Sequence, residues 1–339
     1  MELKDPIELH IQRVTALDRR QFLRPLTNSE LLERSARIFQ VASRSILAQT
    51  AIPTLFCFIS AIFALTFLIP NLFTTTGGDQ LRGEFSRVIV TLAITLFVAI
   101  PLFMFGLGQA FEIAIRHVQD YVTGDQLPGE SKPAKKPPTP PWRMTGLLTV
   151  IGIEAFAPVI LASALFVAGA LASASNNVAT SGFLAFSGVM IALLSLIVCP
   201  FLIMRNCLGP VAMAVEGGPI LQARRRGITL THSNRVGGIA DSVIVALLVL
   251  VVIVIGISFA VTVPLNLLTE SGPFQHWVGT SVYGSIVRST LAALPYYIVL
   301  WLMTPFWATF CTVLYFDRRV RIEGFDIRML AKDVLEVRE

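Results

Sequence analysis

Apolar residues in this chain fall in long unbroken runs, not at alternate positions or in a one-sided stripe. Six runs reach the length of about 20 residues that a helix needs to cross the hydrocarbon core of a bilayer. They cover roughly 46–70, 88–111, 144–171, 181–206, 238–268 and 286–316. The fifth holds the purest stretch, SVIVALLVLVVIVIGISFAV. Strands of a membrane barrel would be shorter and would alternate. The pattern therefore predicts an all-α membrane protein with six transmembrane helices.

The polar stretches between the runs have patterns of their own. In LTNSELLERSARIFQVASRS, Thr27 and Glu30 have the spacing of a capping box, with Leu26 and Leu31 placed as its hydrophobic staple. Leu31, Leu32, Ser35, Ile38, Phe39 and Ala42 then share one helical face, while Glu33, Arg34, Arg37, Gln40 and Arg44 lie elsewhere. Segment 1–45 thus predicts an amphipathic helix resting on the membrane interface and feeding the first span. Residues 124–142 are proline-rich and predict an extended linker. The fourth and fifth spans are joined by VEGGPILQARRRGITL, where Gly217 and Gly218 permit a turn and Pro219 opens a short interfacial helix. Residues 317–339 follow the last span. There Gly324 ends its helix, and Asp326 caps a final amphipathic helix, IRMLAKDVLEV.

Composition agrees with a chain whose main solvent is lipid: mean hydropathy is +0.69, with 54% hydrophobic and 14% charged residues. No removable signal peptide is visible in the polar opening segment, so the first apolar run is read as insertion signal and permanent span together. Charge sets the expected orientation. Of the 27 Lys and Arg, all but Arg82, Arg87 and Arg288 fall in the N-terminal segment, the second and fourth connections with their flanks, and the tail. By the positive-inside rule both termini face the cytoplasm, which in a bacterial cell makes this an inner-membrane protein. Cys57, Cys199, Cys207 and Cys311 lie in or beside apolar runs without metal-ligand spacing. They read as buried small side chains.

Few residues suggest chemistry. The four His (His10, His117, His232, His276) are scattered, and no HExxH, GxSxG or P-loop pattern occurs. The expectation is a non-enzyme with no cofactor and no metal. Glu154, in VIGIEAFAPVIL, is the clearest ionisable residue within a span. It is either protonated, or paired with Arg205 or Arg288 nearer the span ends, or part of a translocation path. Each run carries proline, which suits a kinked transporter and an ordinary membrane helix alike. Arg224, Arg225 and Arg226 are candidate contacts for anionic lipid headgroups, where each juxtamembrane cation gains about 1 kcal/mol. No aromatic residues interleave with them, so nucleic acid is not an expected partner.

The closing stretch LYFDRRVRIEGFD packs acids and arginines closely. In a continuing helix Asp317 pairs with Arg321 and Arg319 with Glu323, both acid or base four residues apart. Glu216 is expected to meet Arg319 or Arg321 and latch the fourth connection to the C-terminal motif. Asp326 completes that structural set.

RPLTNSELLERSARIF, PVAMAVEGGPILQARRRGITLT and LYFDRRVRIEGFD, in this order along six spans, resemble the membrane domain of prokaryotic glycerophosphoryl diester phosphodiesterases. The catalytic barrel of those enzymes needs more than about 200 residues of its own. The resemblance therefore implies the non-catalytic membrane part alone. Three roles follow: a module binding lipid or a partner protein through its basic inner face, a transporter using Glu154 and kinked helices, or an accessory to a separate phosphodiesterase.

Overall fold

A computed structural model describes residues 26–73, 90, 93–123, 140–174, 178–232, 243–270 and 282–323. Among these every regular element is helical, and six helical stretches are long and apolar enough to cross a membrane. The elements are α1 (Asn28–Phe73), a π-helical turn (Thr95–Ala99) leading into α2 (Ile100–Thr123), α3 (Pro141–Ala174), α4 (Val178–Asn206), α5 (Gly209–Glu216), α6 (Ile220–His232), α7 (Val243–Glu270) and α8 (Val282–Glu323). The π turn has a local cause. Pro101 lacks the N–H that the carbonyl of Phe97 would otherwise accept from, and widening the turn re-registers the ladder.

Among the described residues the amphipathic segment is the start of α1 and not a separate interfacial helix. α1 runs unbroken for 46 residues, about 69 Å at 1.5 Å per residue, and α8 for 42 residues, about 63 Å. Both greatly exceed a hydrocarbon core of about 30 Å. The side chains show where dense apolar exposure begins. On α1 the exposed positions include Glu33, Arg37, Gln40, Val41, Arg44, Ser45, Ala48 and Gln49, and then Ile52, Leu55, Phe56 and Ile59. Dense apolar exposure starts at Ile153 on α3 and Leu248 on α7, and ends at Phe201 on α4. From that level, 52–73 of α1 and 153–174 of α3 each extend about 33 Å, one hydrocarbon thickness.

The remaining helical length projects beyond the boundary at one end. Every described arginine except Arg288 belongs to that end, called here the basic end. The hydrophobic core is there too, and not at the middle of the spans. It joins Leu31, Ile38 and Ile46 of α1, Ile115 of α2, Met144 and Leu147 of α3, Met213 of α5, Leu230 of α6 and Phe310 and Leu314 of α8. The apolar face expected to rest on the membrane therefore rests on the protein: Leu31 and Ile38 are almost fully buried, and Phe39 meets Phe306 edge-on. α3 and α4 pair as a hairpin, α7 leans on α8, and α4 and α7 share no extended interface among the described residues.

α5 and α6 form an antiparallel hairpin inside the basic end. Gly217 and Gly218 take positive φ values of 77° and 96°, which side chains disfavour, and the Gly217 N–H closes α5 on the Met213 carbonyl at 3.0 Å. Pro219 then offers its carbonyl to the N–H groups of Gln222 and Ala223, starting α6. The two helices touch backbone to backbone. A Cβ on Gly227 would stand 2.7 Å from the Gly209 Cα, so only glycine fits. α6 is thus a packed element, with Ala223, Gly227 and Leu230 buried, and not a helix lying flat on the interface.

Candidate functional site

Three charged knots tie the basic end together. The first brackets Glu154. Its carboxylate pairs with Arg224 of α6, whose Nε donates to the Asn206 Oδ1 at 3.2 Å, and the Asn206 amide donates back to Glu154 at 3.4 Å. Glu154 thus finds Arg224 and not Arg205. Arg205 is one residue from Asn206, and the turn of α4 sends it about 100° away from the α3–α6 contact. The side chain of Arg288 lies outside the described residues. Glu154 also stands beside Ile153, where dense apolar exposure on α3 begins, and so near one end of that exposed stretch, not at its middle.

The second knot joins α5, α6 and α8. Glu216 accepts from the Tyr315 hydroxyl and from the Arg226 Nε at 3.2 Å, and lies 3.9 Å from the Arg319 Nε. Arg226 also pairs with Glu323, which Arg319 reaches from one turn away at 3.1 Å. The Arg319 guanidinium sits 5.8 Å above the Tyr315 ring, a cation–π distance. Burial alone would push the Arg226 guanidinium down. Its hydrogen bond to Glu323 and the charges of Glu216 and Glu323 outweigh that and hold it above its ordinary value.

The third knot clamps the entrance of α1. Thr27 and Glu30 form the capping box, with the Thr27 N–H on Glu30 at 3.0 Å and the Glu30 N–H on the Thr27 hydroxyl at 3.4 Å. Just before it, the Leu26 N–H donates to Asp317 of α8 at 2.8 Å, and Arg321 donates to the Leu26 carbonyl. Arg321 and Asp317 bond each other at 2.9 Å, one turn apart, and both side chains are buried.

Of the expected headgroup contacts, Arg224 and Arg226 are turned inward onto carboxylates, and only Arg225 is exposed. Asp326 and the final helix proposed after it lie outside the described residues. The structure brings Glu216, Arg319 and Glu323 together, and Asp317 and Arg321 together. Tyr315, Asn206 and the Leu26 backbone were not anticipated. Neither was Glu112, buried on α2 and held by Arg116 at 2.8 Å, although its acid-first spacing of four was visible in the sequence.

No family model, curated protein or solved structure matches the chain. The geometry therefore stands alone. In each knot arginine neutralises carboxylate, and among the described residues no group of three or more His, Cys, Asp and Glu is placed to hold a metal ion. The cysteines Cys57, Cys199, Cys207 and Cys311 are free and buried. Such knots hold helices in register; none of the three presents an activated nucleophile beside a base. The described residues also form a shallow groove lined by Trp142, Arg143, Gly218, Pro219, Ile220 and Leu221, with Trp142 and Leu221 largely exposed.

Proposed function

We propose that this chain is a non-catalytic membrane module of a bacterial inner membrane, whose working part is its basic end. That end faces the cytoplasm and holds the surface of the inner leaflet through anionic lipid headgroups. The observation that carries this reading is that, among the described residues, the hydrophobic core and the charge knots lie at the arginine-rich end. Arg44, Arg143 and Arg225 are exposed there and belong to no ion pair among the described residues. Each is free to meet phosphate, a gain of about 1 kcal/mol per cation near an anionic leaflet.

The resemblance to the membrane domain of glycerophosphoryl diester phosphodiesterases agrees with a supporting, non-hydrolytic role. A transport role fits less well, since it asks for an ionisable residue deep in the bilayer, and Glu154 is committed to Arg224 at its edge. A partner protein is the second reading, favoured by the exposed Trp142 and Leu221, which lie on the water side of the boundary.

The test uses nanodiscs of mixed phosphatidylglycerol and phosphatidylcholine. The purified protein is expected to enrich phosphatidylglycerol around itself, and R44A/R143A/R225A to lose that enrichment. Equal recovery of the two lipids with the wild type ends the lipid reading. Reporter fusions at either terminus that are active only outside the cell end the orientation.

A further inference from the structure

Arg205 is the described arginine whose surroundings are least accounted for. It sits in the last turn of α4, half-buried, at the level of the Glu154 knot and hence at the edge of the hydrocarbon layer. Its Nε is buried and has no acceptor among the described residues, and no carboxylate there pairs with it. Glu154 is already held by Arg224 and Asn206. A guanidinium donor withdrawn from water without a partner is costly, of the order of 1–3 kcal/mol and more for a charged group.

The helix indicates what approaches it. Positions four, eight, eleven and fifteen residues before Arg205 are Phe201, Ile197, Leu194 and Met190, which at 3.6 residues per turn lie above it on one stripe. All four are strongly exposed. α4 is covered by α3 on another side and has no extended interface with α7, so this stripe is open along its length. An apolar track about 20 Å long that ends on an unpaired cation, at the depth where lipid phosphates begin, has the layout of one phospholipid.

We propose that Arg205 binds the phosphate of a single anionic phospholipid of the basic-end leaflet, with an acyl chain lying along Met190, Leu194, Ile197 and Phe201. The phosphate supplies acceptor oxygens, and the planar fork of the half-buried guanidinium donates charge-assisted bonds to them. The site rests on the lipid reading above and narrows it. General attraction of the leaflet falls to the exposed Arg44, Arg143 and Arg225, and retention of one particular lipid falls to Arg205.

Native mass spectrometry of protein released from phosphatidylglycerol and phosphatidylcholine nanodiscs separates the two. Wild type is expected to keep one phosphatidylglycerol through detergent exchange. R205M should retain it about tenfold less, the loss of one charge-assisted hydrogen bond. R37A, on the exposed face of α1 and outside both sets of lipid contacts, should retain it as wild type does. Equal retention in R205M and wild type overturns the site while leaving leaflet enrichment to be judged on the triple variant. Loss of enrichment in the triple variant with retention intact in R205M leaves the general reading standing without this site. No phosphatidylglycerol retained by wild type overturns the site outright.

A second measurement needs no variant. Phosphatidylglycerol carrying a photoactivatable acyl chain should crosslink wild-type protein at residues 190–201. Crosslinks confined to other helices would equally refute the assignment.

Discussion

Asp317 offers the sharpest test of how the basic end is held. Its carboxylate accepts both the Leu26 N–H and the Arg321 guanidinium, and the Asp317 side chain is fully buried, with that of Arg321 at 7% exposure. Solvent screening is therefore slight. Replacing Asp317 with Ala strands a buried guanidinium and a buried amide together, and removing one partner of a buried pair costs about 3–5 kcal/mol. The damage should be local, because the rest of α8 stays anchored by Arg319, Glu323 and the core. The direct assay is hydrogen exchange over the first turns of α1, residues 28–38, whose protection reports opening of that end. At about 1.4 kcal/mol per tenfold, exchange in D317A should accelerate by at least about a hundredfold. D317N, which keeps an acceptor oxygen but no charge, should fall between, at a cost of about 1.5–3 kcal/mol. The reasoning fails if D317A is folded and residues 28–38 exchange at the wild-type rate. It fails also if D317A and R321A add independently, since the two are argued to act as one unit.

Glycine contacts give a matched pair. G227A should sharply lower the yield of folded protein in a detergent monodispersity assay, because its Cβ meets the Gly209 backbone, whereas G182A on α4 meets nothing within 4 Å and should be neutral or stabilising by up to about 1 kcal/mol. Neighbouring arginines should differ as strongly. R226A breaks pairs to both Glu216 and Glu323 and should lower stability by about 1–3 kcal/mol in thermal unfolding, while R225A should stay within about 0.5 kcal/mol. For the Glu154 knot, E154Q should lower the thermal midpoint, and the E154Q/R224Q double variant should be less damaged than the two single losses combined predict.

The sequence carried the spans, the capping box at Thr27 and Glu30, and the helical pairs of the closing motif, because each depends on spacing within one element. It did not carry the partner of Glu154. That ion pair joins residues 70 positions apart, and its geometry depends on α6 entering the fold. For the same reason the triple arginine looked uniformly water-facing. In a short helix three consecutive residues point three ways, and which of them meets protein is decided by the hairpin that Gly209 and Gly227 allow. The expected amphipathic helix had the right face and the wrong neighbour. Hydrophobic periodicity shows that a face will be covered, and a membrane and a bundle of helices cover it equally well.

The clamp on Leu26 also imposes an order of events. Its carbonyl is held by Arg321, 295 residues further along the chain. At a synthesis rate of about 5–20 residues per second, residue 26 leaves the ribosome roughly 15–60 s before its clamp exists. Throughout that interval Leu31, Ile38 and Phe39 have no α8 to cover them, and the nearest apolar cover is the surface of the membrane into which 46–70 has already gone. Those apolar side chains stay without their α8 neighbours until the last helix is made.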